Sequence, residues 1–327
     1  MTVLASVNNG LVVVVLAQGV LYGTPLLFAA LGELLAERSG VLNLGVEGMM
    51  LFGAAVGYWA TLEVHGSDAS VLLVAVGAAF VAGAAVSAIH AFLTVTLRAS
   101  QIVSGLALTL FAGGLGLSAY FGNELHLADT PATHEFGSID VFGLKDVAVL
   151  GPILFDQSAL VYASWALTLV VALYLTRTRW GLNVRAVGEA PASADAMGIN
   201  VTLYRYVHVL AGGALAGVGG ACYSLLITPG WVAGDTLVNG AGWIAIALVI
   251  FAFWRAEICL VGAYLFGALS ALPFALQAHG VSVTPELLQS LPYVMTVVVL
   301  VLVSSAFAKR RLGAPAALGR PYAREER

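Results

Sequence analysis

Leu35-Ala36-Glu37-Arg38-Ser39-Gly40-Val41-Leu42-Asn43-Leu44-Gly45-Val46-Glu47-Gly48-Met49-Met50 is a polar, glycine-punctuated stretch set between two long apolar runs. Those runs decide the fold. The 327-residue chain is 60% hydrophobic and 10% charged, with a mean hydropathy of +0.94, and such a composition belongs in a membrane as a polytopic all-α bundle. Asn and Glu are costly in that solvent, so a segment that keeps both has a use for them.

A spanning helix takes about 20 mostly apolar residues. By that measure nine segments qualify: 10–31, 41–64, 70–97, 101–121, 158–176, 207–228, 239–254, 258–278 and 290–308. Met1 to Gly10 has neither a basic region nor a small-residue cleavage site, so the first run reads as a retained helix. Arg177, Arg179, Arg185 and Arg205 share one loop, Lys309, Arg310 and Arg311 follow the last span, and Arg98 and Arg255 mark tight turns. Basic residues gather on the cytoplasmic side. They predict an N-out, C-in topology with the acidic loop 122–157 outside, residues 1–308 as the membrane domain and 309–327 as a cytoplasmic tail. The start leaves two readings open, since 32–48 is either a cytoplasmic turn or a broken helix dipping into the bilayer, where irregular backbone survives only inside protein or along a cavity.

Small residues four apart, at Gly53 and Gly57, Gly213 and Gly217, and Ala263 and Gly267, predict helix faces that approach closely. Cys222 and Cys259 stand alone in apolar runs and read as small buried hydrophobes. No metal set and no cofactor site is readable. With Lys only at positions 145 and 309 and a net charge of −4, no basic face exists to neutralise nucleic-acid phosphates.

Asn43 and Glu47 are the leading candidates for a translocation path or gate, four apart and on one face if the segment is helical. Glu47 calls for a polar cavity, an interface or a partner such as Arg38, and its other role is to pin a helix break. Gln101, Ser104 and Thr109 open the fourth span with hydrogen-bonding groups, while His90 and His208 read as interfacial groups rather than proton relays. In the loop 177–206, Glu189 to Gly198 reads as one short helix, with Pro191 in its first turn and Gly198 as its stop. Two turns cannot fold alone, so this helix leans on the membrane domain, on lipid headgroups or on another protein.

Residues 37–50 resemble the signature of permease subunits of ABC importers for nucleosides and simple sugars, in the wider group with ribose and branched-chain amino acid permeases. Three further blocks resemble the family in the same order: Gly181 to Asn200, with Ala186-Val187-Gly188-Glu189 and Met197-Gly198-Ile199-Asn200, then Leu210 to Gly217, then Leu291-Pro292-Tyr293. Residues 251–256 depart from it, since the nucleoside branch commonly has a Gly and a Lys beside the Trp. The resemblance implies that Glu189, Pro191, Asp195 and Gly198 belong to a coupling helix that docks on a cytoplasmic ATPase. It also implies a second homologous permease and an extracytoplasmic substrate-binding protein, with Trp231 and Asp235 as candidate docking residues for the latter. Nucleosides are the substrate it implies first, ahead of simple sugars and branched-chain amino acids, in the cytoplasmic membrane of a prokaryote.

The chain itself has no Gly-x-x-x-x-Gly-Lys-Ser/Thr loop, so nucleotide hydrolysis falls to a partner. An ion-coupled transporter would show midplane acids or unwound helices in paired halves, and residues 43–47 are the one region read that way. An intramembrane enzyme would need a nucleophile and base, or a metal set, converging at depth, and no such pattern is readable.

Overall fold

The computed structural model describes residues 10–232, 236–280, 284, 287–288, 290–303 and 313–323. Its elements are α1 (Leu11–Arg38), α2 (Val46–Glu63), α3 (Asp68–Ala91, prolonged by a π-helical turn Phe92–Thr96), α4 (Gln101–Ala112) and α5 (Leu117–Glu124). They continue with α6 (Ala159–Arg177), α7 (Arg179–Glu189), α8 (Pro191–Ala196), α9 (Val201–Cys222, prolonged by Tyr223–Ile227), α10 (Ala241–Phe251), α11 (Ala256–Ala278) and α12 (Leu291–Val303). Among the described residues, six helical segments are long and apolar enough to cross a membrane: Leu11–Arg38, Asp68–Thr96, Gln101–Glu124, Ala159–Arg177, Val201–Ile227 and Ala256–Ala278. The other three predicted stretches hold α2, the short α10 and α12.

The all-α expectation needs one correction. Ser138–Asp140 (β1) and Asp156–Ser158 (β2) pair antiparallel inside the acidic loop, with Ile139 opposite Gln157. Three-residue strands carrying Asp and Ser have no alternating pattern to announce them; the fold brings them together.

α1, α2, α3, α9 and α11 form the centre, and small residues set how closely they meet. A Cβ at Gly217 on α9 would run into the Ala79 carbonyl oxygen and stand 3.0 Å from Gly83 Cα on α3, while one at Gly53 on α2 would stand 2.5 Å from Gly217 Cα. Gly267 on α11 faces Gly23 of α1 at similar range. In lipid no hydrophobic force drives helices together, so these backbone contacts supply the cohesion through dispersion. Cys222 and Cys259 are free and buried in this centre.

α1 runs seven residues beyond its predicted end and stops in a Schellman motif: Val41 N–H donates to the Ala36 carbonyl (3.3 Å) and Gly40 N–H to the Glu37 carbonyl (2.9 Å). Gly40 takes φ +86° there, and a Cβ would approach Arg205 Nη2 to 3.2 Å. The chain then runs irregularly through 41–45 before α2 begins, with Ser39, Val41 and Asn43 all buried. The irregular backbone of 41–45 thus lies inside protein.

Candidate functional site

The irregular segment between α1 and α2 has its polar groups satisfied from neighbouring elements, as backbone shielded from water must. Leu42 N–H donates to Gln101 Oε1 (2.7 Å), Asn43 N–H to Glu33 Oε1 (3.0 Å), and Thr109 Oγ1 to the Leu44 carbonyl (2.8 Å). His90 Nε2 faces the Leu42 carbonyl at 3.1 Å and its Nδ1 faces Ser104 Oγ at 2.9 Å. A carbonyl only accepts, so Nε2 carries the proton, and in the neutral ring Nδ1 accepts from the Ser104 hydroxyl. Asn43 is not on a helix; its Oδ1 accepts from Gly45 N–H two residues on (3.0 Å), shaping the entry into α2. Asn43, Ser104 and Thr109 therefore converge on the helix break, and none of the three lines the cavity described below.

Glu47, in the first turn of α2 and 5% exposed, reaches across to α10. Gly240 N–H donates to its Oε1 (2.8 Å) and Gly242 N–H to its Oε2 (2.6 Å). One carboxylate thus occupies the N-terminus of a half-helix, where unpaired N–H groups and the helix dipole favour negative charge. Two glycines make the approach possible. Gly240 sits at φ +79°, and a Cβ on Gly242 would stand 2.5 Å from Glu47 N.

The other end of α10 is fixed as well. It runs into a turn in which Phe253 and Trp254 both take left-handed backbone (φ +51° and +54°), a conformation that costs bulky residues energy. Glu37 Oε2 accepts from the Trp254 indole N–H, and Arg38 donates to the Trp254 carbonyl from Nη2 (2.8 Å) and Nε (3.2 Å). Arg38 and Glu47, expected as partners, therefore stand at opposite ends of α10. Trp254→Phe removes the only donor that Trp254's ring offers Glu37, and should lower thermal stability in nanodiscs by about 1–3 kcal/mol; an unchanged midpoint would show that the turn is held by Arg38 alone.

Above α10 opens a cavity of about 440 Å³, lined by Tyr22 and Leu26 of α1, Tyr223 and Thr228 after α9, Asn239 and Ala241 at its floor, Ser270 and Phe274 of α11, and Tyr293 of α12. Tyr22 and Phe274 stack with ring centres 5.9 Å apart, and Tyr293 Oη donates to the Asn239 carbonyl (2.5 Å). The chamber offers flat aromatic faces beside hydroxyl and amide groups, directly over the segment that Glu47 holds. This combination suits a small, flat, polyhydroxylated solute.

A family model described as the permease component of branched-chain amino acid transport systems matches residues 15–303. The chain belongs to that permease family. It is 38% identical to the putative glucose ABC transporter permease protein of Haloferax volcanii, covering 92% of this chain and 95% of the relative. It is 36% identical to the nucleoside ABC transporter permease protein NupC of Lactococcus lactis (88% and 92% covered) and 33% identical to the guanosine ABC transporter permease protein NupQ of Bacillus subtilis (96% and 98%). No solved structure matches. The protein is accordingly an integral membrane transport subunit of the ABC type.

On this permease the loop 177–206 is shorter than expected, because α9 begins at Val201 and buries Arg205. Nor is 189–198 a single helix. Glu189 ends α7, Ala190 is extended (φ −146°, ψ 77°), and α8 starts at Pro191, whose ring disfavours helical backbone in the residue before it. Asp195 lies on α8, and Gly198 follows it at φ +83°, as the predicted stop requires. Met197 between them is 82% exposed, an apolar side chain offered outward.

His208 is buried, with Nδ1 on the Tyr204 carbonyl (2.6 Å) and Nε2 on Tyr174 Oη (2.8 Å), and His90 is buried likewise. Trp231, expected on an outer docking surface, is 6% exposed and packs on Gly122, in a cluster with Tyr58 and Leu127. Its large apolar ring is used inside the fold and is unavailable to a partner; Asp235 lies outside the described residues. Glu33 and Glu37, both buried, escaped the sequence reading. Their signal was present: two acids four apart on the face of α1 next to the break.

Proposed function

We propose that this permease is one half of an ATP-driven importer for nucleosides. Nine membrane segments with the N-terminus outside and the C-terminus in the cytoplasm place the aromatic cavity on the outer side and α8 on the cytoplasmic side. An extracytoplasmic binding protein delivers the solute, a second homologous permease completes the path, and a separate ATPase engages α8 as the coupling helix through Pro191, Asp195 and Gly198. The break at Asn43, Ser104 and Thr109, with Glu47 on α10, forms the gate below the cavity. Coupling then works by geometry: movement of the cytoplasmic loops reaches Trp254 through Arg38 and Glu37, shifts α10, and changes the cavity floor.

The observation that carries the substrate class is the aromatic lining over the Glu47-held half-helix, which suits stacking on a base and hydrogen bonding to a ribose. The nucleoside and guanosine permeases among the relatives support it. A sugar is the second reading, favoured by the Haloferax relative. Uptake of labelled nucleosides, glucose and ribose into liposomes holding the permease pair, ATPase and binding protein decides between them: ATP-dependent nucleoside uptake is the expected result, and uptake of glucose alone would replace the reading. With nucleoside as the solute, Phe274→Ala should raise the half-saturating concentration about tenfold, the size of one lost stacking partner. An unaltered concentration dependence would remove the cavity from the path.

A further inference from the structure

After α12, residues 304–312 lie outside the described region, and the chain is found again lying across the cytoplasmic ends of α1, α7 and α8. Composition gives no sign of this: Gly313-Ala-Pro-Ala-Ala-Leu-Gly-Arg-Pro-Tyr322 reads as a linker. Yet its groups are tied down along its length. Gly313 offers its carbonyl to Arg38 Nη1 (3.3 Å), Ala316 N–H donates to Glu189 Oε2 (3.2 Å), and Ala317 N–H donates to the Gly188 carbonyl (2.9 Å). Arg205 Nη1 donates to the Arg320 carbonyl (3.4 Å), and Tyr322 Oη donates to Asp195 Oδ2 (3.0 Å). Pro315 and Ala317 are buried, and Gly188 is sandwiched so closely between the Arg38 carbonyl and Pro315 that a Cβ there would meet both.

We propose that residues 313–323 are a strap that joins α7 and α8 to the end of α1, so that the ATPase moves loop and strap as one body. The proposal rests on α8 as the coupling element. Its force lies in which atoms are used. Glu189 and Asp195, the two acids of the loop that the family resemblance assigns to ATPase coupling, each hold the strap. Arg38 touches both the strap and the Trp254 turn, which gives displacement of the loop a direct route to α10. Two prolines lower the strap's freedom when undocked, and alanines let its backbone approach the loop. Tyr322 and Asp195 also wall a cytoplasmic cleft of about 510 Å³ opposite Thr96 and Arg98. The cleft gives the ATPase a recess made jointly by loop and strap.

The test uses the assembled transporter in nanodiscs, with the chain ended after residue 312 and, as a variant that keeps the whole fold, Tyr322→Phe. Backbone deuterium exchange over 186–198 and uptake per ATP hydrolysed are both read. Truncation should speed exchange in that window and lower uptake per ATP about tenfold, with Tyr322→Phe changing both in the same direction by a few-fold, as one or two lost hydrogen bonds would. Unchanged exchange on truncation would overturn the strap, and faster exchange with full coupling would overturn its part in transmission. Cross-linking of Ser193→Cys to the ATPase in the full-length chain tests α8 itself: if no adduct forms, the coupling reading fails, while the exchange result still decides the strap.

Discussion

Glu47→Ala should leave the buried Gly242 N–H and the partly buried Gly240 N–H facing a methyl group. Two charge-assisted hydrogen bonds of 2.8 and 2.6 Å disappear together. Each is worth about 1.5–3 kcal/mol, so the loss should reach about 3 kcal/mol or more and be read as a lowered unfolding temperature in nanodiscs with uptake abolished. Glu47→Gln keeps one accepting oxygen but turns its amide N–H₂ toward the second donor, and should fall between parent and Ala. If Glu47→Ala unfolded with the parent, α10 would be held by packing alone, and the carboxylate would have to be explained by transport.

Gly217→Val should be at least as damaging, through a different cause. A side chain at this site would enter backbone of α3, with the Ala79 carbonyl oxygen and Gly83 Cα in the space it would need. Backbone cannot rotate aside as a side chain does, so one helix must move away and give up its contacts. A cost of about 3 kcal/mol or more follows, at or beyond the upper end of ordinary overpacking, and little folded protein should accumulate in the membrane. Gly77→Ala on α3 is the matched control, since nothing stands within 4 Å of its place for a Cβ. There the better helix propensity of Ala should raise stability by up to about 1 kcal/mol. Equal losses at both positions would refute the role given to the crossing.

Apolar length and small-residue spacing carried most of the fold in the sequence, because both are local signals. Gly53 and Gly217 meet where the four-residue spacing implied. The break near Asn43 was legible too, since polar residues between apolar runs have few uses in lipid. What the sequence withheld depends on distant pairing. Glu47 finds Gly240 across 193 positions, and no pattern around Glu47 reveals that its partner is a helix end rather than Arg38. Trp231 took an outer docking role from the resemblance, yet its ring packs on Gly122. The strap was hidden for the same reason: Ala and Pro have no periodicity to read, and its order comes wholly from the surface under it. Glu33 is the instructive omission. An acid five residues from the end of α1 had no local companion but Glu37, and its acceptor role appears only when Asn43 N–H arrives above it.

The half-helix Ala241–Phe251 has eleven residues, rising about 16 Å, so its helical part covers only about half of a bilayer core of about 30 Å. A ribosome delivers it long after Val46–Glu63, so its carboxylate socket is already in the membrane when the half-helix emerges. Lipid cannot stabilise the bare end of such a segment, and integration of α10 is therefore an assembly step onto finished protein rather than an independent insertion. Lesions in the first fifty residues should consequently appear during biogenesis as mislocation of a segment nearly two hundred residues downstream.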